Sequence, residues 1–409
     1  MSDIGIVGAG TAGLHLALLL QQRGLEPTLY AERTAGEIRQ GRLPNTVAHH
    51  HRTRTREREL GVNHWDESGP SYDRHDHFVG GEPPLEFPGD FSQPSMAVDY
   101  RLYLAQLLED FEERGGTVVQ GSVAVGDVER LGEQHDLVAV GTGRGGFAEL
   151  FPRLFGRGTD GPLRVLSAGL YAGIAYPDPV AVTFAISPGH GELIVLPIET
   201  FEGHATTLLF ECIPGGDLEV LAATSYDEDP KGYERLVLDK LERHCPPVFE
   251  RVDQSSFGLT NPTSILTGSV TAVVRESHAK LDSGTCAVAV GDAHAVVDPV
   301  VGQGANAASF GAWTLGEAIL EGGPFDESFC RKVDERRLPY LLGLDSWTRF
   351  MLAPEPHLFQ LIGAMSQIKP LADDFTENFN YPDRQWEHLS SAEATAAYIA
   401  SHAGGAEQV

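Results

Sequence analysis

The 409 residues carry 58 acidic and 30 basic side chains, a formal net charge of −28, with 42% hydrophobic and 22% charged residues. That balance is ordinary for a globular protein long enough for two or three domains, and so acidic a surface repels nucleic acid and anionic membrane, which removes both as partners. Cys212, Cys245, Cys286 and Cys330 show no metal-ligand spacing and read as reduced thiols; with no basic, cleavable leader before the first apolar run, the expected location is cytoplasmic.

In chain order, residues 3–7 read as a short buried strand, 8–13 as a glycine turn, 14 to about 24 as a helix, and 27–32 as a second strand. This βαβ unit predicts a parallel sheet with a right-handed crossover. In the turn, Gly8 permits the tight bend, Gly10 lets the backbone approach a pyrophosphate, and Gly13 lets the helix pack on the strand. Thr11 and Ala12 open the helix, whose N–H groups and dipole face an anion. Glu32, about twenty residues further on, is placed to accept hydrogen bonds from a ribose, with Arg33 beside it as the alternative contact.

Residues 42–98, rich in His, Arg, Pro and Gly, predict loops, a short helix around 53–60 and a few strands. His49, His50 and His51 are adjacent and so do not converge on one metal ion; no metal is expected. Arg52, Arg54, Arg56 and Arg58 read as a solvated face, or as a basic run that attracts an anionic cofactor or a partner. Residues 99–114 have helical spacing, and 117–121 and 136–141 read as strands returning to the first sheet. Residues 165–270 change texture: strands near 180–186, 193–197 and 206–211, with a helix at about 230–244, predict a mainly antiparallel insertion.

A further buried strand at 286–291 leads into a second motif. Asp292 is placed to bind a ribityl hydroxyl or the pyrophosphate end of a flavin. Asp298 and Pro299 turn the chain, and Gly302, Gly304, Ala305 and Asn306 open a helix over about 303–321 whose N-terminus can face the pyrimidine edge of a flavin. The segment resembles the GD…DPxxGxGxN stretch of flavin monooxygenases related to aromatic hydroxylases. Together the two glycine motifs specify FAD rather than NAD. Arg42 and Arg101 are candidate FAD contacts, Arg101 because it opens a helix where a guanidinium can pair with a phosphate oxygen. The strand ending at Gly143 carries no Asp-Gly pair and the chain has no second dinucleotide fingerprint, which fits a protein that receives flavin already reduced. From 326 onward the chain reads as helical, with an unstructured tail after about 403.

The expected architecture is α/β: a Rossmann-like FAD-binding domain of the aromatic-hydroxylase (glutathione reductase-like) type, assembled from 1–75, 95–164 and 271–325. A mainly antiparallel substrate domain takes 76–94 and 165–270, and a helical C-terminal region takes 326–409.

Ile4–Leu16, Asn45–His49, Ala97–Tyr103, Ser187–Ile194, Asp298–Asn306 and Glu377–Trp386 resemble the oxygenase components of two-component, FAD-dependent styrene/indole monooxygenases, and the resemblance runs through essentially the whole chain. The styrene-preferring members carry Asn, Val, His, Tyr, His and Ser where the indole-preferring members carry Ser, Gln, Met, an aliphatic residue, Ile and Ala. Asn45, Val47, His49, Tyr72, His75 and Ser95 follow the styrene pattern, and no reductase domain is fused to the end. The resemblance implies a homodimer and a separate NADH-dependent flavin reductase that supplies reduced FAD. It further implies O2 as co-substrate and a flavin 4a-hydroperoxide whose distal oxygen reaches a vinyl group. Such chemistry asks the protein for position, dryness and electrostatics. Asn45 is then expected to hold a peroxide or water, His49 and His75 to tune the peroxide or shape the site, and Tyr72 to stack on the substrate. Ser95 and Val47 are expected to set shape, and Pro299 and Val300 to lie over the flavin ring. The alternatives are indole oxygenation, a flavin-dependent alkene reductase that needs no oxygen, and a non-enzymatic FAD-binding protein.

Overall fold

The computed structural model describes residues 2–143 and 146–403; the expected tail after about 403 lies outside the described residues. Strand β1 (Ile4–Val7) is buried throughout and turns through Gly8 into helix α1 (Thr11–Gln22), and β2 (Thr28–Ala31) returns parallel to β1. A capping box between Thr34 and Glu37, unanticipated in the sequence, starts α2 (Ala35–Gln40). Next come β3 (Ala48–His49), α3 (His51–Leu60), the long hairpin β4 (Tyr72–Val79) and β5 (Leu85–Ala97), then α4 (Tyr100–Glu113), β6 (Thr117–Gln120), α5 (Asp127–Gln134) and β7 (Leu137–Val140). Beyond them lie β8 (Val165–Ala172), β9 (Val182–Ser187), β10 (Gly191–Thr200), β11 (Gly203–Cys212), α6 (Pro230–His244), β12 (Ile265–Ser269), β13 (His278–Lys280) and β14 (Cys286–Ala289). Helices α7 (Gly304–Glu321), α8 (Glu327–Leu352), α9 (Pro356–Met365), α10 (Lys369–Glu377), α11 (Pro382–Leu389) and α12 (Ala392–Ala403) complete the described chain.

Two sheets organise these elements. The first has six strands in the order β13-β14-β7-β1-β2-β6, parallel except at the edge, where β13 is antiparallel to β14. Its strands alternate as the pleat requires. Ile4 and Ile6 pack with α1, α4 and α7 on one face, while Val7, Val138 and Val140 pack with α5 on the other. The second sheet has nine strands: Gly258–Leu259, then β8-β11-β10-β9-β4-β5-β3, with β12 also pairing with β8. Its junction is the parallel pair of β4 and β9. One face, with Phe184, Leu196 and Ile198, meets the C-terminal helices; the other, with Leu193, Val195 and Phe210, meets α6.

The hairpin thus belongs to the second sheet along its whole length. The expected divisions at 75/76 and 94/95 fall inside β4 and β5, which pair from Val79 opposite Leu85 to Arg74 opposite Asp90 and, after a register shift, at Tyr72 opposite Ser95. The four cysteines are free and buried. Among the described residues no helix is long and apolar enough to cross a membrane.

Candidate active site

A cleft of about 350 Å³ opens where the two sheets meet. One side is formed by Gly10, Thr11 and Ala12 at the start of α1, by Gly291 and Asp292 after β14, and by Gly304, Ala305 and Ala308 at the start of α7. Facing them are Asn45, Thr46 and Val47, Tyr100 and Leu104 of α4, and Leu166, Ala168, Leu209 and Leu266 of the second sheet. Neither Gly10 nor Gln303, the residues preceding the two helices, caps its helix with a side chain, so the first-turn N–H groups remain for a ligand.

The glycines divide the work. Gly8 has φ +103°, a conformation that other residues rarely adopt, and a Cβ on Gly13 would sit 1.8 Å from the Gly8 carbonyl oxygen. A Cβ on Gly10, Gly302 or Gly304 would meet nothing within 4 Å, so at these positions bare backbone borders open space. A backbone-lined cleft with two uncapped helix N-termini fits a dinucleotide with an anionic diphosphate and a flat ring system, as FAD has.

A small apolar chamber adjoins the cleft and shares Thr46, Leu209, Pro299 and Gly302 with it. Val182, Phe184, Ile194, Leu196, Val300, Val301 and Phe379 supply most of its wall. Three buried polar atoms on that wall lack a hydrogen-bond partner: His50 Nε2, Tyr72 OH and His75 Nδ1. Burial holds the His50 imidazole down at about 3, with a smaller push from His49. Burial, with His77 and His50 nearby, holds His75 well below its ordinary value, and burial also raises the Tyr72 phenol. His75 is wedged edge-on between Phe91 and Phe379, with ring centroids at 4.7 and 4.8 Å. A second, smaller apolar space continues past Phe184, Val300, Val301 and Phe379 toward α8, α9 and α10.

The expected site residues fall into distinct places. Asn45 and Val47 line the cleft, and Tyr72 and His75 line the chamber. Pro299 borders both, but Val300, expected over the flavin ring, turns its side chain to the apolar chambers instead. His49 is a correction: it lines neither space. Its Nδ1 lies 2.6 Å from Glu57 Oε1 and its Nε2 3.1 Å from the Tyr100 hydroxyl, inside a buried network. His50 is the histidine that reaches the chamber, and Ser95 holds it, Oγ to Nδ1 at 3.0 Å, without lining the chamber itself.

Arg101 is a second correction. Its guanidinium is buried and bonded to Asp99, Thr263 and Ser264, which leaves it no reach into the cleft; its neighbour Tyr100 lines the cleft instead. Asn306 is a third. Its amide donates to the carbonyls of Ala48 and Gly302 and accepts from Thr53 Oγ1 and the His50 N–H, so it ties β3 and α3 to α7. Arg42 pairs at the surface with Asp227 at 3.2 Å. Glu32 and Arg33 are exposed beside the Gly8 turn, whose N–H donates to the Tyr30 carbonyl, and neither is among the cleft-lining residues. Asp292 lines the cleft.

The basic run is not a solvated face. Arg54 is buried against Asp66, which also takes Arg58, while Arg52 and Arg56 lie over the rings of Tyr381 and Phe310. The sequence reading missed His50, Thr46, Leu209, Phe184, Phe379 and Tyr100. For two of these a signal existed: Thr46, Ala48 and His50 alternate with Val47 and His49, and the first set lines the chamber.

The family model for the substrate binding domain of styrene monooxygenase A matches residues 143–251. Styrene monooxygenase StyA of Pseudomonas fluorescens is 44% identical over 406 residues, 98% of this chain and 98% of that protein. Among solved structures, the flavin-dependent brominase Bmp2 superposes with a TM-score of 0.69 at 14% identity, covering 100% of both chains. PqsL of Pseudomonas aeruginosa, described as a probable FAD-dependent monooxygenase, gives 0.62 at 15% identity over 98% of this chain and 99% of its own. Likenesses of that depth establish the fold.

Proposed function

The chain belongs to the family of styrene monooxygenases, and from that premise we propose that it is the oxygenase component of a two-component flavoprotein monooxygenase that epoxidises styrene-like vinyl aromatics. The observation that carries this reading is the shared wall of Thr46, Leu209, Pro299 and Gly302, where an anion-ready cleft meets an apolar chamber. When bound, reduced FAD would supply, with O2, the electrophilic oxygen that the alkene takes.

What remains for the chain is to bind, aim and keep dry. The N–H groups opening α1 take the diphosphate, and those opening α7 face the negative charge of the reduced ring. Asp292 reaches the ribityl side, and Asn45 offers an amide at the cleft wall. The chamber's Val, Ile, Leu and Phe side chains exclude water, which protects the oxidant from decay to hydrogen peroxide. His50 Nε2, Tyr72 OH and His75 Nδ1 are the spare polar atoms that orient an oxygen atom beside the alkene. Glu32 and Arg33 flank the adenosine ribose. Reduced FAD comes from a separate NADH-dependent flavin reductase, and the working form is a cytoplasmic homodimer.

Purified chain given chemically reduced FAD, O2 and styrene is expected to release styrene oxide. Absence of oxide together with absence of any transient oxygenated flavin absorbance would overturn the reading. Product formed without oxygen would make the chain an alkene reductase, and far faster turnover of indole to indigo would make it an indole oxygenase.

A further inference from the structure

A buried hydrogen-bonded chain runs from the cleft wall into the core of the first domain. Thr11 Oγ1 lies 2.7 Å from Tyr100 OH, which lies 3.1 Å from His49 Nε2; His49 Nδ1 lies 2.6 Å from Glu57 Oε1. The same Glu57 oxygen accepts the Tyr103 hydroxyl at 2.8 Å, and Tyr103 OH lies 2.7 Å from His15 Nε2. Thr11 and Tyr100 line the cleft, whereas His49, Glu57, Tyr103 and His15 do not.

Counting protons fixes what the chain can offer. The Tyr100 and Thr11 hydroxyls bring two protons, and the bond between them uses one. If His49 carries a proton only on Nδ1, directed at Glu57, then Nε2 accepts from Tyr100 and Tyr100 accepts from Thr11. No hydroxyl proton then remains for a ligand. If Nε2 also carries a proton, it donates to Tyr100, and one hydroxyl proton is released toward the cleft. An anion in the cleft calls for this second state. Burial works to raise the Glu57 carboxyl, but the His49 and His15 rings and the Tyr103 hydroxyl outweigh it and leave an ionised acid beside His49. Burial keeps His15 neutral, at about 4, so its Nε2–H can serve Tyr103. The titratable groups around His49 are Glu57 from α3, the adjacent His50, Tyr100 and Tyr103 from α4 and, one bond further, His15 from α1, with Asp292 acting on Tyr100.

Resting on the proposed FAD site, we infer that Tyr100 is a cofactor-binding residue and His49 its positioning residue. With both ring nitrogens protonated, the His49–Tyr100–Thr11 chain donates one hydroxyl proton to the anionic diphosphate, so FAD and one proton are taken up together. Binding and protonation then reinforce each other. His49 serves the cofactor rather than the alkene.

The test is titration with FAD, oxidised and, anaerobically, reduced, followed by flavin fluorescence and absorbance. Calorimetry in two buffers of different ionisation heat counts the protons. Tyr100→Phe and His49→Gln are each expected to weaken FAD by about tenfold or more, as for loss of a hydrogen bond to a charged group. The double variant is expected to be no weaker than Tyr100→Phe alone, and the proton uptake of the wild type is expected to be lost in all three variants. Tyr398→Phe, which removes a tyrosine hydroxyl bonded to Asp374 outside the network, is expected to leave FAD affinity and proton uptake near wild type; where His49→Gln melts too early to assay, Tyr100→Phe against Tyr398→Phe decides. Additive losses, an unchanged Tyr100→Phe, an equal loss in Tyr398→Phe, or a wild type that takes up no proton would overturn the inference. A wild type that binds FAD in neither redox state would overturn the cofactor reading beneath it.

Discussion

Tyr72 places a hydroxyl in an apolar wall where nothing accepts its proton. An unsatisfied buried hydroxyl costs about 1–3 kcal/mol, so Tyr72→Phe should melt at or above the wild-type temperature. It should also release less epoxide and more hydrogen peroxide per flavin oxidised. Melting curves and a peroxide assay check both halves, and a clearly destabilised variant would mean that the hydroxyl is bonded in solution. At this scale the sequence is legible only in part. The six residues of the styrene pattern all lie in or beside the site, but their roles differ. His49 and His50 are chemically identical, and only strand alternation decides which faces the chamber. Arg101 reads as a phosphate ligand until Asp99, two residues earlier, is seen to take its guanidinium. A side chain's partner across the fold has no local signature.

Helix α1 shows how far an element can be read in advance. Its glycines, apolar run and flanking strands all agree, and the βαβ unit follows. The positions still separate on mutation. Gly13→Ala forces a Cβ to within 1.8 Å of a backbone oxygen and should cost roughly 3 kcal/mol or more, lowering the denaturant midpoint sharply. Gly10→Ala meets open space and should keep its stability while losing FAD affinity. Equal stability losses in the two variants would show that Gly10 is structural. Strand β5 is the converse case. The sequence predicts a few strands within 42–98 without bounding this one, which runs through Pro88, Gly89 and Pro94 from Leu85 to Ala97. Gly89 is there because α10 presses on the strand: a Cβ would lie 2.0 Å from Thr376 Oγ1 and 2.5 Å from the Ala372 carbonyl oxygen. Gly89→Val should therefore be markedly destabilised, as seen by thermal melting, with FAD affinity retained in the folded fraction. Periodicity reports how a strand meets its own sheet, not how closely a helix from the far end of the chain will cover it.

Across the whole molecule, histidines stand where acid can attack. Burial holds His15 at about 4, His50 at about 3 and His77 at about 4. The unfolded chain takes these protons near pH 6.5, before the folded chain does, so each such histidine removes stability as pH falls through the window between the two values. When fully expressed the shifts are worth about 3 kcal/mol each for His15 and His77 and about 5 kcal/mol for His50. The melting temperature should therefore drop steeply below about pH 6.5. His77→Phe, which keeps the stacking on Phe87, should flatten that slope. A melting temperature unchanged down to about pH 5 would show that these rings are hydrated in the folded state. The two-sheet plan and the helical C-terminal region were readable from the change in texture along the chain. The grouping of 76–94 with 165–270 was made from the sequence; that β4 begins at Tyr72 and β5 runs on to Ala97 was not legible, because where a strand ends is decided by the assembled sheet.

Handedness follows from the border that the two spaces share. Thr46, Leu209, Pro299 and Gly302 make this an asymmetric gateway if the olefin reaches across it, and a planar olefin lying there would show one of its two mirror-related faces to whatever stands on the other side. The oxirane should accordingly emerge as essentially one enantiomer. Widening the gateway with Leu209→Ala should erode that optical purity before it slows turnover, as chiral chromatography of the product would reveal.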